Sequence, residues 1–482
     1  VHAVREGETA LAFTSFRRGI RVVLPRKLRP GAAIDVTLEF RGRAVARDAS
    51  EVGLGAHVTE QVAIVLAPEQ RRLPSPGAAT TLSGDALLLG DPFPVLSVER
   101  DDGWDREVRA GSVPFAEAAR WRITVDSEEG VDVIASGAMV SDGETAGQRV
   151  FAGDNLRSVA VFATRGYARR TAEAAGVRVT TITDPAHKAA ADRALELAMR
   201  GIELYAKQFG KPPFPDLVVV EAPLEAGHSS EAFSGLVAVA SAYFTDPLGP
   251  EGADLPGFIR DTPNLAEGEM EFTVLAGVAR QWWGEAVGSN PQTEAYLTEG
   301  LSAASAVWAI GQIRGAEAAD RAVELRFRTP YRVFRMFGGQ DVEANRRAGD
   351  FPNYFAYSAT VQTKAGLFVG AVRAEFGDER FDDGLRQYYS VNSGRIATLA
   401  DFRSAIVLTG KRTGTRRMDW LVGRWIEQKL GDEDIASPDY SVAVSDEDAG
   451  TGTSRRKPGV ERFGRFILRQ FSFVGKQVAK PF

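Results

Sequence analysis

The sequence predicts a multidomain α+β protein: an antiparallel β-sandwich or saddle over residues 1–183, then a mainly helical domain over 184–440. Three observations predict it. In the first part apolar residues alternate with polar ones, the two-residue period of half-buried strands. Near residue 184 the apolar spacing lengthens to that of an amphipathic helix. The chain has 482 residues, 44% apolar and 25% charged, which is enough for more than one core.

In the β part, Ile34, Val36, Leu38 and Phe40 alternate with Asp35, Thr37 and Glu39. Trp121, Ile123 and Val125 alternate in the same way with Arg122 and Thr124, and 177–182 is a β-branched run. Pro30-Gly31 and Asp91-Pro92 mark turns. Leu195, Ala198, Ile202 and Tyr205 then share one face of a helix over about 187–208. Phe209-Gly210-Lys211-Pro212-Pro213 stops it, because glycine caps and proline cannot continue. Residues 217–220 read as a short buried strand, and helices dominate from about 266 to 430. Residues 441–459 read as a flexible linker.

Composition excludes several functions. There is no cysteine, hence no disulfide, thiolate metal site or cysteine nucleophile. A net charge of −6 argues against nucleic acid as a partner. No apolar run is long enough to span a membrane as a helix. The chain begins at Val1 rather than methionine, which reads as a processed protein or a fragment.

Charge is uneven. Residues 455–482 carry eight Lys/Arg and one acid, a net +7, which leaves −13 on the rest. Within 460–482, Val460, Phe463, Ile467, Phe471, Val474 and Val478 follow helical spacing, with Phe466 widening the apolar stripe. Arg462, Arg465, Arg469 and Lys476 fall largely on the other side. This basic amphipathic pattern is expected to dock to a protein partner or an anionic membrane surface. The competing reading is a helix packed on its own acidic body.

The chemistry-bearing stretch is Val274-Leu275-Ala276-Gly277-Val278-Ala279-Arg280-Gln281-Trp282-Trp283-Gly284, with Glu299 nineteen residues after Arg280 in Leu297-Thr298-Glu299-Gly300-Leu301. The pair resembles the active-site segment of the aminopeptidase N-like zinc metallopeptidases, the gluzincins. There H-E-x-x-H-Q-W-[WF]-G is followed at the same spacing by the glutamate of N-E-G-[FL]-[AS]. Two histidines at i and i+4 face one way and share a metal with that glutamate, water fills the fourth position, and the first glutamate is the general base.

In this sequence the flanks match and the chemistry does not. Ala276 and Arg280 stand at the two histidine positions, Gly277 at the base, and Glu299 alone remains as a vestigial ligand. Further likeness lies in Phe209-Gly210-Lys211-Pro212-Pro213-Phe214, in Leu89-Gly90-Asp91-Pro92-Phe93-Pro94, and in Gly377-Asp378-Glu379-Arg380-Phe381. It covers roughly residues 20–440 and implies a thermolysin-like fold for the helical domain. The family's amine-binding motif G-x-M-E-N is degraded before Gly235-Leu236, where the chain reads Ser229-Ser230-Glu231-Ala232-Phe233-Ser234. Aligned on Lys364, Gln362 stands at the family's catalytic tyrosine, with Tyr357 five residues earlier. The four histidines, His2, His57, His187 and His228, are not at ligand spacing, so no metal and no other cofactor is expected.

The resemblance therefore implies an inactive peptidase fold serving as a scaffold, a binding module or a subunit of a larger assembly. The alternatives are a peptide binder using the old cleft, or a hydrolase with a non-standard site. Arg280, Glu299, Glu231, Ser234, Gly235 and Tyr357 are the cleft candidates. Arg280 is expected either to pair with Glu299 in place of the metal cation or to turn outward into solvent. Many bacterial members of this family are exported or attached to membrane proteins, which favours an extracytoplasmic or membrane-peripheral location.

Overall fold

A computed structural model describes residues 1–435 except 17–18, 71–78, 101–102, 106–114, 142, 144, 146, 247, 250–263 and 408–411. The linker and the basic tail, with Arg462, Phe463, Arg465, Phe466, Ile467, Arg469, Phe471, Val474 and Lys476, lie outside the described residues.

The fold is mixed α+β, with sheets first and helices after. A five-stranded sheet runs in the order Asp132–Ala135, Ala160–Thr164, Ala86–Gly90, Thr80–Ser83, Val45–Ala46. Ala119–Asp126, Gln148–Leu156 and Ala138–Ser141 form a three-stranded antiparallel sheet. Ile123, Phe151 and Leu156 from the second sheet share a core with Val133, Ala135 and Val161 from the first. The alternation around Trp121 is thus the inside and outside of a strand, with Ile123 buried and Arg122 and Thr124 exposed. At 34–40 only Thr37–Glu39 makes ladder bonds, to Ala3–Glu6.

One helix lies where the alternation argument expected strands alone. Helix α1, Leu54–Leu66, follows a short turn Ala49–Val52 that carries a capping box, Asp48 reaching forward and Glu51 reaching back. Its Leu54, His57 and Ile64 are buried, and His57 Nε2 lies 3.3 Å from the Leu224 carbonyl oxygen.

A second five-stranded sheet carries the site. Strands β1 (Ala168–Ala174), β2 (Val177–Thr183), β3 (Asp216–Ala222), β4 (Ser230–Phe233) and β5 (Leu236–Ala240) run in the order β1-β2-β3-β5-β4. The pairs β2–β3 and β3–β5 are parallel, and the two edge pairs are antiparallel. This sheet joins strands from both sides of residue 183. Helix α2, Lys188–Phe209, is the predicted amphipathic helix, ended by Gly210 at φ 114°.

The hub of the helical part is α3 (Asn264–Ala279), packed between α2, the sheet and α4 (Ala295–Arg314). Its Val274, Leu275, Val278 and Ala279 are fully buried. Tyr205 on α2 donates a hydrogen bond to the Leu275 carbonyl at 3.1 Å. Trp282 and Trp283, just past α3, are also fully buried. Trp282 Nε1 donates to the Gly210 carbonyl and Trp283 Nε1 to Ser305 Oγ, both at 3.2 Å. Gly284 has φ 136°, a conformation that admits glycine best.

Candidate functional site

The site forms where α3, α4 and the edge strand β4 meet. Ala276 and Arg280 lie four residues apart, on one face of α3 and just beyond its end, and both are partly exposed. Glu299 comes from the first turns of α4. Arg280 Nη1 donates to Glu299 Oε1 at 2.7 Å, with 16% and 20% of the two side chains exposed. The pairing alternative of the sequence reading is therefore the one observed. Burial alone would lower the Arg280 pKa, but the Glu299 charge and hydrogen bond outweigh it and the net shift is upward. Arg280 is a permanent cation.

Glu231 on β4 borders the same space, and its charge also raises Arg280. Its Oε1 lies 3.4 Å from His228 Nδ1. Burial lowers the His228 pKa and the Glu231 hydrogen bond raises it, with a net rise. Tyr357 ends the short helix Tyr354–Tyr357, and its phenol is pushed up by burial and then by Glu299. Tyr354 responds to burial, Glu299 and Glu231 in the same way and belongs to the cleft, although the sequence reading did not single it out. Gln362 sits on the π-helical turn Ser358–Lys364, where its Oε1 accepts from Ser358 Oγ at 2.8 Å.

Ser234 and Gly235 have other roles. Gly235 takes φ 75° in the β4–β5 turn and donates its N–H to Gln281 Oε1 at 2.9 Å. Gln281 Nε2 reaches the Phe233 carbonyl at 3.2 Å, so this side chain pins the β4–β5 turn to the end of α3. Ser234 is fully buried; it accepts the Arg157 N–H at 2.9 Å and donates to Glu285 Oε2 at 2.8 Å.

Glu285 is the centre of a polar cluster that sequence reasoning missed. Ser158 Oγ donates to the same Oε2 at 2.7 Å. Burial pushes the Glu285 carboxyl up, against the lowering effect of these serines and of Arg280 and Arg157. A carboxyl raised on folding adds stability that is fully present below its unfolded value and is lost as pH rises through the folded one. Glu285→Gln keeps the acceptor without the charge. We expect it to be more stable than the parent at pH 7, an advantage that shrinks as pH falls through the raised folded-state value and disappears below the ordinary carboxylate range. Paired thermal melts from about pH 3 to 8 measure this; equal offsets at every pH would contradict the assignment.

The donors at Ala276, Arg280 and Glu299 do not fit a zinc ion. A methyl offers no lone pair, a guanidinium repels a cation, and Glu299 Oε1 is already bonded to Arg280. Among the described residues no group of three or more His, Asp or Glu is arranged to hold a metal.

The sequence matches no family model and no curated protein. Solved structures do match the fold. An M1 zinc metallopeptidase from Deinococcus radiodurans superimposes with TM-score 0.55 at 16% identity, over 88% of this chain and 83% of that one. A mutant of the Deinococcus enzyme bound to a Tyr-Ser-Ala substrate gives TM-score 0.55 at 16% identity, over 89% and 84%. A two-domain M1 zinc metallopeptidase mutant bound to L-arginine gives 0.54 at 15%, over 89% and 84%. The chain thus has the fold of the M1 zinc metallopeptidases, a β-sheet part followed by a helical part.

Proposed function

We propose that this chain is a peptidase fold without peptidase chemistry, used as a scaffold, binding module or subunit of a larger assembly. The observation that carries the reading is the Arg280–Glu299 ion pair of 2.7 Å, a protein cation where a metal would need a free carboxylate. Gly277 supplies no base, and Ala276 supplies no ligand. General acid–base help alone is worth about 10²–10⁴ in rate, and a metal-activated water adds to that. The match to the M1 motif is kept in residues with structural work: Gln281 holds the β4–β5 turn, Trp282 and Trp283 fill the core, and Gly284 takes a positive φ.

We expect purified protein to carry no zinc by elemental analysis after dialysis against micromolar zinc, and to leave aminoacyl-amide substrates intact. Stoichiometric zinc, or hydrolysis abolished by chelator, would overturn the reading. The basic tail is the proposed docking element, toward a protein partner or an anionic membrane surface. A second reading is peptide binding in the old cleft, favoured by the partial exposure of Arg280 and Glu299. A peptide library with Glu299→Ala as control separates the two.

A further inference from the structure

Helix α1 precedes most of the β part in sequence, yet it packs on both walls of the cleft. On one side it meets the loop that leads into β4. His57 Nε2 donates to the Leu224 carbonyl at 3.3 Å. Arg47, just ahead of the helix, pairs with Glu225 at 2.7 Å. Glu60 lies close over Gly227, where an added Cβ would stand 3.2 Å from its Cγ. The same loop carries His228 and ends at Glu231 on the cleft wall. On the other side α1 packs on the short helix Tyr354–Tyr357, which bears the cleft tyrosines. Between the two, the His57 ring meets Tyr243 edge to face at 5.6 Å, and the Tyr243 hydroxyl bonds Ser229 Oγ at 2.8 Å.

One atom of this contact is badly placed for acid. His57 is 2% exposed, and its Nδ1 is buried with no hydrogen-bond partner among the described residues. A proton there would make a buried cation whose new N–H has no acceptor. The surrounding charges give little help. His228, from the loop, is raised by its contact with Glu231 and takes its proton first, so it repels a second charge on His57. Glu269 on α3 attracts that charge but is already paired with Arg326 at 2.6 Å. Glu225 is engaged by Arg47, and Glu60 belongs to α1 itself. Burial raises the phenols of Tyr243 and Tyr354, which stay neutral. We infer that α1 is an acid-released strap: with His57 neutral it ties the β4 loop to the Tyr354–Tyr357 helix, and a proton on Nδ1 lifts it from both and frees the two walls to move. The net shift of the His57 pKa is downward, burial being the largest cause. The strapped state is therefore at full strength above the ordinary histidine value of about 6.5 and loses stability as pH falls below it, until the folded value is passed.

Hydrogen exchange of the full chain, read by mass spectrometry between about pH 7.5 and about pH 5 and corrected for the intrinsic pH dependence of exchange, tests the strap. Helix α2 serves as the internal reference. Relative to α2, we expect protection over 54–66 to fall by about tenfold across that range, with 224–231 and 354–357 falling in step. His57→Gln still offers an amide donor to Leu224 and takes up no proton, so it should keep its protection at both ends of the range. His228→Gln removes the repelling charge and should make the fall smaller. The parent alone decides against the strap if α1 tracks α2 at every pH, or if α1 loosens while both walls stay protected. A fall of the same size in folded His57→Gln would also overturn it. Zinc or hydrolysis in the parent would overturn the proposed function and leave the strap untouched.

Discussion

Arg157→Ala should destabilise the protein by about 3–5 kcal/mol, although its hydrogen bonds among the described residues go to Ser234 and to backbone carbonyls rather than to Arg280, Glu299, Glu231 or Tyr357. Its side chain is 5% exposed and its guanidinium is spent on backbone. Nη1 donates to the Ala116 carbonyl at 2.7 Å, Nη2 to Arg395 at 2.8 Å, and Nε to Glu285 at 3.2 Å. The Arg395 carbonyl has a second donor in the Gly288 N–H. For the Ala116 and Glu285 carbonyls Arg157 is the donor seen among the described residues. Each orphaned buried carbonyl costs about 1–3 kcal/mol, and a cavity is left besides. Gly288 belongs to the same arrangement, since a Cβ there would meet Arg157 Cζ at 2.5 Å. Arg157→Lys should recover little, because an ammonium cannot reproduce a planar fork of donors. Denaturant unfolding of the three proteins checks this. A loss below about 1 kcal/mol for the alanine variant would mean that water replaces the guanidinium at little cost.

Legibility in the sequence followed how local each cause is. The amphipathic face of α2 and its glycine stop are written within neighbouring residues, so the predicted 187–208 became Lys188–Phe209. The Arg280–Glu299 contact was one of two alternatives open in the sequence, offered by the family resemblance, which sets both positions at one ion; the 2.7 Å ion pair decides between them. Helix α1 carried a readable signal in the Asp48–Glu51 capping box, but it stood among strands and was missed. Arg157, Ser158 and Glu285 were not legible. Arg157 follows strand residue Leu156 at a site where alternation points to solvent, and the partners of its guanidinium lie from 41 to 238 residues away in sequence. Ser234 was read as a cleft residue from its neighbours in the motif; only the tertiary fold shows that its hydroxyl turns to Glu285.

Lys364→Met is the other substitution expected to be severe, again about 3–5 kcal/mol, with a Tm drop on the order of 10 °C. The side chain is 1% exposed and its ammonium lies 3.2 Å from Asp341 Oδ1, itself 7% exposed. Nζ also donates to the Val342 and Gln428 carbonyls at 3.2 and 3.1 Å. Burial lowers the Lys364 pKa and Asp341 opposes this, with a net lowering. Removing the cation strands a carboxylate whose remaining donor among the described residues is the Gly431 N–H at 2.8 Å. The effect reaches the cleft, because Lys364 closes the π-helical turn Ser358–Lys364 that follows Tyr357. If the uncompensated charge is the cause, Lys364→Met with Asp341→Asn should regain most of the loss, since asparagine still accepts from Gly431 without a charge. Equal melting of the single and double variants would instead assign the cost to the two carbonyls that Lys364 leaves behind.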